Sequence, residues 1–263
     1  ALPISEISGG YMLKIDRLNP GDSGLSAGGQ TMAYVDPKEQ DITRPEWAAQ
    51  KAYITKYFND FNTALNKANF YDPVAGYLPY VDAGAWIDHS ILNIFAFNVD
   101  ALRLSGYFYK PRGGGIVMGP IWDFDRTLAS TDGRDWNPRV WRSMTGDGGT
   151  DFWNYPWWQR MYQDTNFLQM WIDRYQSMRD NVLSMENVLG KVDKMADQVR
   201  EAQKREVVKW SGFTTPRSGK QSGDGGYSFD FGSGTYQGEV NFMKQWLKDR
   251  KSTRLNSSHL VIS

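Results

Sequence analysis

The segment from Asp82 to Phe97 places the strongest constraint on how this chain can fold. Asp82 can cap a helix that runs to about Phe97, and Trp86, Ile87, Ile91, Leu92, Ile94 and Phe95 make it apolar over more than half its circumference. Such a helix has to be surrounded, so the remaining chain must pack against it from several sides. The composition allows this: of 263 residues, 40% are hydrophobic and 14% aromatic, far from the signature of disorder. The length fits one large domain or two small ones. No apolar run approaches the ~18 residues of a membrane span, and the longest candidate, Ile91 to Phe97, is interrupted by Asn93. His89, inside this helix, reads as a core or boundary residue before it reads as a proton shuttle.

Charge and residue usage then remove whole classes of function. Thirty basic residues cancel thirty acidic ones, so no nucleic-acid or anionic-membrane partner is expected. The absence of cysteine excludes a disulfide scaffold, thiolate-bound zinc, an iron–sulfur cluster and a thiol nucleophile. His89 and His259 are too few for a multi-histidine metal site. The chain opens at Ala1 without a leader, so an upstream segment is expected to be missing. Residues 251–263 lose the helical pattern before them and read as a cloning or assembly scar.

The remaining elements read as α+β. Tyr11 to Ile15 alternates as a strand, followed by a loop. Thr43-Arg44-Pro45-Glu46 fits a capping box that opens a helix to about Lys67, with Trp47, Ile54, Tyr57, Phe58, Phe61 and Leu65 on one face. Tyr107–Lys110 and Ile116–Phe124 flank Gly113-Gly114-Gly115 as a hairpin; no helix follows these glycines, so they do not form a phosphate loop. Residues 129–154 read as loop. Helices are expected over 156–182, 185–210 and 236–249, and seven glycines and five serines make 211–236 a flexible surface excursion.

The chemistry concentrates around the end of the buried helix. Asn98-Val99-Asp100 closes it, Ser105 follows five residues after Asp100, and Asp123-Phe124-Asp125 follows the hairpin, 23 residues beyond Asp100. If strand geometry continues, Asp123 and Asp125 project from one face with Cα atoms roughly 6.5–7 Å apart. Two such carboxylates either share a proton or bind a divalent cation. Protein kinases run in a parallel order: a catalytic-loop Asp, a metal-holding residue five positions on, a short β element, then a metal-binding Asp.

From Gly9 to Arg250 the chain resembles the spore-coat CotH kinase-like family. The resemblance rests on Gly-Gly-Tyr-Met-Leu-Lys-Ile-Asp-Arg from Gly9, Trp86-Ile87-Asp88, Asn98-Val99-Asp100, Arg103 to Lys110, Gly119-Pro120-Ile121-Trp122-Asp123-Phe124-Asp125, Tyr155-Pro156-Trp157-Trp158 and Arg174-Tyr175. It implies the mostly helical C-lobe of an atypical protein-kinase-like fold, with a central β-hairpin and most of the nucleotide lobe missing. Residues 1–250 would then be the C-terminal portion of such a domain. It also implies phosphoryl transfer from ATP, with Mg²⁺ or Mn²⁺, to a protein hydroxyl, a cell-surface or coat protein being one candidate acceptor, in an extracellular or surface setting. Asp100 would be the catalytic carboxylate, Asp123, Asp125 and Ser105 would hold metal, and Asn98 would lie on the cofactor. Ser105 stands where relatives often carry Asn, Ile94 where many carry Glu, and Lys14 is not expected to be the phosphate-pairing lysine.

Plainer roles stand beside these. Asp100 could cap or terminate the helix, Asp125 could pair with Arg126 or another surface base, and Asn98 could bond a backbone carbonyl near the helix end. Trp47, Trp86, Trp171, Trp210 and Trp246 read as core, which leaves Trp136, Trp141, Trp153, Trp157 and Trp158 as ligand-facing candidates. Two other functions compete: an interaction module that keeps the fold without catalysis, and glycoside hydrolysis by carboxylates roughly 5–9.5 Å apart beside tryptophan platforms.

Overall fold

A computed structural model describes residues 3–130, 133–140, 152–153, 155–223 and 226–252. About half of the chain is helical, and the strands form a small antiparallel sheet. After a short helix α1 (Ile4–Ile7), strand β1 (Tyr11–Ile15) buries Tyr11, Leu13 and Ile15 and turns Met12 and Lys14 outward, as its alternation predicts. The stretch read as a loop after β1 instead holds a second hairpin, β2 (Leu25–Ala27) and β3 (Gln30–Asp36). Its tight turn is Gly28-Gly29, with φ of 62° and 74°, a geometry that needs φ > 0 at both central positions. The signal is present in the sequence, but the flanking strands are too short for periodicity to reveal.

Helix α2 (Glu39–Ile42) and a 3₁₀ turn at Pro45–Trp47 lead into α3 (Ala48–Asn66). The capping box does not form: Thr43 Oγ1 donates back to the Glu39 carbonyl of α2, and α3 opens through the proline turn. The buried helix is α4 (Ala83–Ala96), capped by Asp82, whose carboxylate accepts from the Ala85 N–H. It buries Trp86, Ile87, Ile91, Ile94 and Phe95 together with His89, Ser90 and Asn93.

Strands β4 (Gly106–Lys110) and β5 (Val117–Met118) complete the sheet in the order β2-β3-β1-β4-β5. β4 pairs with β1 along its whole length, Tyr11 opposite Lys110 and Ile15 opposite Gly106. The second arm of the hairpin is much shorter than the sequence suggests. It leaves the ladder after Met118, and residues 119–124 are irregular. Gly115 explains how the hairpin docks on α4: a Cβ there would lie 2.7 Å from the Val81 backbone. That close approach allows Ile116 N–H to reach the Tyr80 carbonyl (2.7 Å), Asp82 N–H to reach the Ile116 carbonyl (2.9 Å), and Trp86 Nε1 to reach the same oxygen (2.9 Å).

The helical run expected over 156–182 divides into α5 (Pro156–Met161) and α6 (Thr165–Asp180). The break is Asp164, buried, which caps α6 through Asn166 N–H and accepts from Tyr77 Oη at 3.0 Å. Trp157 and Trp158 on α5 are the centre of the core: Phe58 stacks on Trp157, Phe108 meets it edge-on, and Trp86 lies 4.6 Å from Trp158. Helix α7 (Met185–Lys209), α8 (Ser211–Thr214), the hairpin β6 (Lys220–Ser222) and β7 (Ser228–Asp230), and α9 (Tyr236–Ser252) close the chain. The Gly/Ser-rich stretch is therefore anchored and not featureless. Tyr227 and Phe231 are buried, and Phe231 and Phe242 pack with Trp136. The region read as a scar lies outside the described residues from 253 onward.

Tryptophan placement overturns most of the ligand-facing candidates. Trp136, Trp153, Trp157 and Trp158 are buried, while Trp141 lies outside the described residues. Of those expected in the core, Trp86, Trp171 and Trp246 are fully buried, Trp47 is partly buried, and Trp210 is exposed at the end of α7. No helix among the described residues is long and apolar enough to cross a membrane.

Candidate functional site

The site begins where α4 ends. Phe97 takes a left-handed conformation (φ 54°), and the Phe97 and Asn98 N–H groups reach back to the Ile94 and Asn93 carbonyls, closing the helix in a tight turn. The Ile94 carbonyl is also met by Arg250 Nη2 from α9 at 2.6 Å, and the Arg250 guanidinium lies over the buried Phe97 ring. Buried Arg250 thus gives the Ile94 carbonyl at the helix end a second donor beside the Phe97 N–H.

Asp100 emerges from this turn partly buried. Arg126 Nη1 donates to both of its carboxylate oxygens, at 3.0 and 3.3 Å, Arg134 Nη2 lies 3.6 Å away and Arg103 Nη2 3.9 Å away. Two of these arginines also hold the turn: Arg103 Nη2 and Arg134 Nη1 each donate to the Val99 carbonyl at 3.2 Å. Arg126 was weighed from sequence as one partner for Asp125; among the described residues it pairs with Asp100.

The segment after β5 returns to the same place. Ser105, just before β4, donates through Oγ to Asp123 Oδ2 at 3.0 Å. Both residues carry positive φ, 53° and 61°, a region that L-residues other than Asn and Asp rarely visit. Asp123 is therefore not on an extended strand, and the expected same-face projection of Asp123 and Asp125 does not occur. Leu128 N–H donates to the Ala96 carbonyl (3.1 Å), which ties the loop to the end of α4. Thr127 Oγ1 bonds the Phe124 carbonyl and Ser130 Oγ the Asp125 carbonyl. The Asp123 and Asp125 side chains remain exposed. Beside them Trp122, 57% exposed, leans on Tyr107 with ring centroids 5.8 Å apart, and Lys14 Nζ lies over the same Tyr107 ring, 5.6 Å from its centroid.

Asn98 is 3% exposed and both ends of its amide are engaged within the protein: Nδ2 with Asn93 Oδ1 and Oδ1 with the Asp100 N–H. The backbone bond weighed for it from sequence was to a carbonyl; its amide oxygen instead accepts from the Asp100 N–H. The structure thus joins Ser105 to Asp123 and surrounds Asp100 with guanidinium groups; it does not gather Asp100, Asp123 and Asp125 around one point. Among the described residues no three acidic or histidine side chains are grouped to hold a metal by themselves. Mg²⁺, however, is usually held by one or two carboxylates, with phosphates and water completing its shell. An exposed Asp123 with a hydroxyl beside it fits that mode and does not fit an all-protein cage.

Sequence reasoning missed the arginines. Arg126 and Arg134 lie 26 and 34 residues beyond Asp100 in segments without periodicity, so nothing local points them at one carboxylate. Trp122 was likewise passed over; it lies in an irregular segment after β5, where no periodicity marks which side of the chain is exposed.

This is an α+β protein whose buried helix ends in an arginine-held carboxylate, Asp100, and whose short hairpin returns a second carboxylate, Asp123, to Ser105. The family model for CotH kinase protein matches residues 5–254, nearly the whole chain. The chain belongs to the CotH kinase protein family. No curated protein and no solved structure matches it.

Proposed function

We propose that this chain carries the metal-bearing, mostly helical lobe of a CotH-type protein kinase, transferring the γ-phosphoryl group of ATP to a hydroxyl of a protein acceptor. The observation that supports this most directly is the Ser105–Asp123 contact at 3.0 Å, set on the same turn region that presents Asp100. Asp123, with Ser105 in contact with it and Asp125 two residues on, would hold Mg²⁺ or Mn²⁺, which when bound neutralises phosphate oxygens. Asp100 orients the acceptor hydroxyl and takes its proton as the oxygen bonds to phosphorus and the bridging P–O bond breaks, leaving ADP. Arg126 and Arg134 fix the Asp100 carboxylate and add positive charge where phosphate charge develops. Trp122 offers an exposed ring face next to the metal carboxylate, on which a planar base can lie.

One observation favours a second reading. Three guanidinium groups around Asp100 compete for the lone pairs that would accept a proton, which suits an interaction module that has kept the fold and lost catalysis. Transfer of labelled phosphate from ATP by the full-length gene product, to itself and to an acidic and a basic acceptor protein, with Mg²⁺ or Mn²⁺, separates the two. The kinase reading expects metal-dependent transfer abolished by Asp100→Asn. Nucleotide binding with no transfer to any acceptor supports the module, and absence of metal-dependent nucleotide binding refutes the kinase.

A further inference from the structure

A buried hydrogen-bonded chain runs from the middle of α4 to the backbone of Asp100. Asn93 is 2% exposed, on a helix whose buried face is mostly apolar. Its Nδ2 donates to the His89 carbonyl at 2.9 Å, leaving Oδ1 to accept from Asn98 Nδ2 at 3.0 Å. Asn98 Oδ1 in turn accepts the Asp100 N–H at 3.2 Å. Two amides buried in an apolar setting carry a desolvation cost that only paired partners offset. The second amide is used on the one N–H that belongs to the site's carboxylate residue.

We infer that Asn93 and Asn98 are positioning residues that set where Asp100 stands. This rests on the proposed role of Asp100 in phosphoryl transfer. The amide pair fixes the backbone of Asp100 from the core side, and Arg126, Arg134 and Arg103 fix its carboxylate from the other. Between them, the Val99 carbonyl takes two arginine donors and the Asn98 carbonyl accepts from Ala101 N–H. A turn held in this way presents Asp100 in one orientation, and misplacement of a reacting group by about 1 Å is enough to cost on the order of 100-fold in rate.

Two measurements on the same variants of the full-length protein test the inference: hydrogen exchange at the Asp100 amide, read by NMR, and phosphotransfer kinetics. Asn98→Ala removes the acceptor. Exchange of the Asp100 amide should accelerate by about tenfold or more, and kcat should fall by about tenfold while the nucleotide KM stays within about twofold. Asn98→Ser retains an oxygen able to reach the N–H two residues on, and should recover both quantities to within about threefold. Ser90→Ala serves as the contrast: it breaks buried bonds to Tyr162 and Trp171 in the same helix, and should lower Tm while leaving both readouts unchanged. Unchanged exchange in Asn98→Ala overturns the inference, as does faster exchange with unaltered kcat. Failure of the underlying function looks different: the wild-type protein itself transfers no phosphate, and the inference falls with it whatever the exchange shows.

Discussion

Histidine 89 makes the burial of α4 measurable as a pH dependence. It is 4% exposed, and burial pushes its pKa down to about 4 from an ordinary value of 6.5. The contacts described for the side chain are to Asn93, which offers no charge to hold a proton. In the unfolded chain the imidazole regains its ordinary value and binds a proton below pH 6.5. Between the two values the unfolded state therefore carries more protons than the folded one, and stability must fall as pH falls. The stability that the neutral histidine contributes is complete above pH 6.5 and is lost progressively toward pH 4. Linkage gives a loss of about 2 kcal/mol between pH 7 and pH 5, from this group alone. Carboxylates also titrate toward the acid end, so the clean quantity is a difference. Urea unfolding of the wild type and of His89→Gln, measured at pH 7, 6 and 5, should show the gap between them shift by about 2 kcal/mol in favour of the variant as pH falls. NMR titration of the His89 ring should show it neutral at pH 5. A gap that stays constant across this range, or a ring that protonates near pH 6.5, would refute the argument that α4 is enclosed on the His89 side.

Three further outcomes follow from other contacts. Gly115→Ala would bring a methyl group to 2.7 Å from the Val81 backbone; urea unfolding should show a loss of about 1–3 kcal/mol, and the amides of Ile116 and Asp82 should exchange faster. Arg250→Met keeps much of the packing on Phe97 and removes the donor to the Ile94 and Pro138 carbonyls; destabilisation of about 3 kcal/mol by denaturant is expected, with loosening of the α4 end. In the proposed kinase, Asp123→Asn should weaken Mg²⁺-dependent nucleotide binding, measured calorimetrically, by about tenfold, whereas Asp100→Asn should leave binding within about twofold and abolish transfer. The reverse pattern would exchange the roles given to the two carboxylates.

Much of this protein was decided within short stretches of sequence. Asp82 caps α4 because its carboxylate has only to reach the next turn, and α4 is buried because its apolar residues cover most of its circumference. β1 shows its alternation, the glycine-tipped hairpin its turn, and the family its motifs from Gly9 to Arg174, all as properties of neighbouring residues. Other features required the tertiary structure. β1 pairs with β4 across more than ninety residues, a choice that strand periodicity does not encode because it records which face is buried and not against what. Trp157 and Trp158, read as ligand platforms, are core because α5 packs between α3, α4 and the sheet. Asp123 left the strand for a positive-φ turn, and Asp100 met arginines 26 and 34 residues away instead of a second carboxylate. Charges act through space over a few ångströms. Their partners are therefore set by where the chain returns after folding, and spacing along the sequence could name the candidate carboxylates but not the company each one keeps.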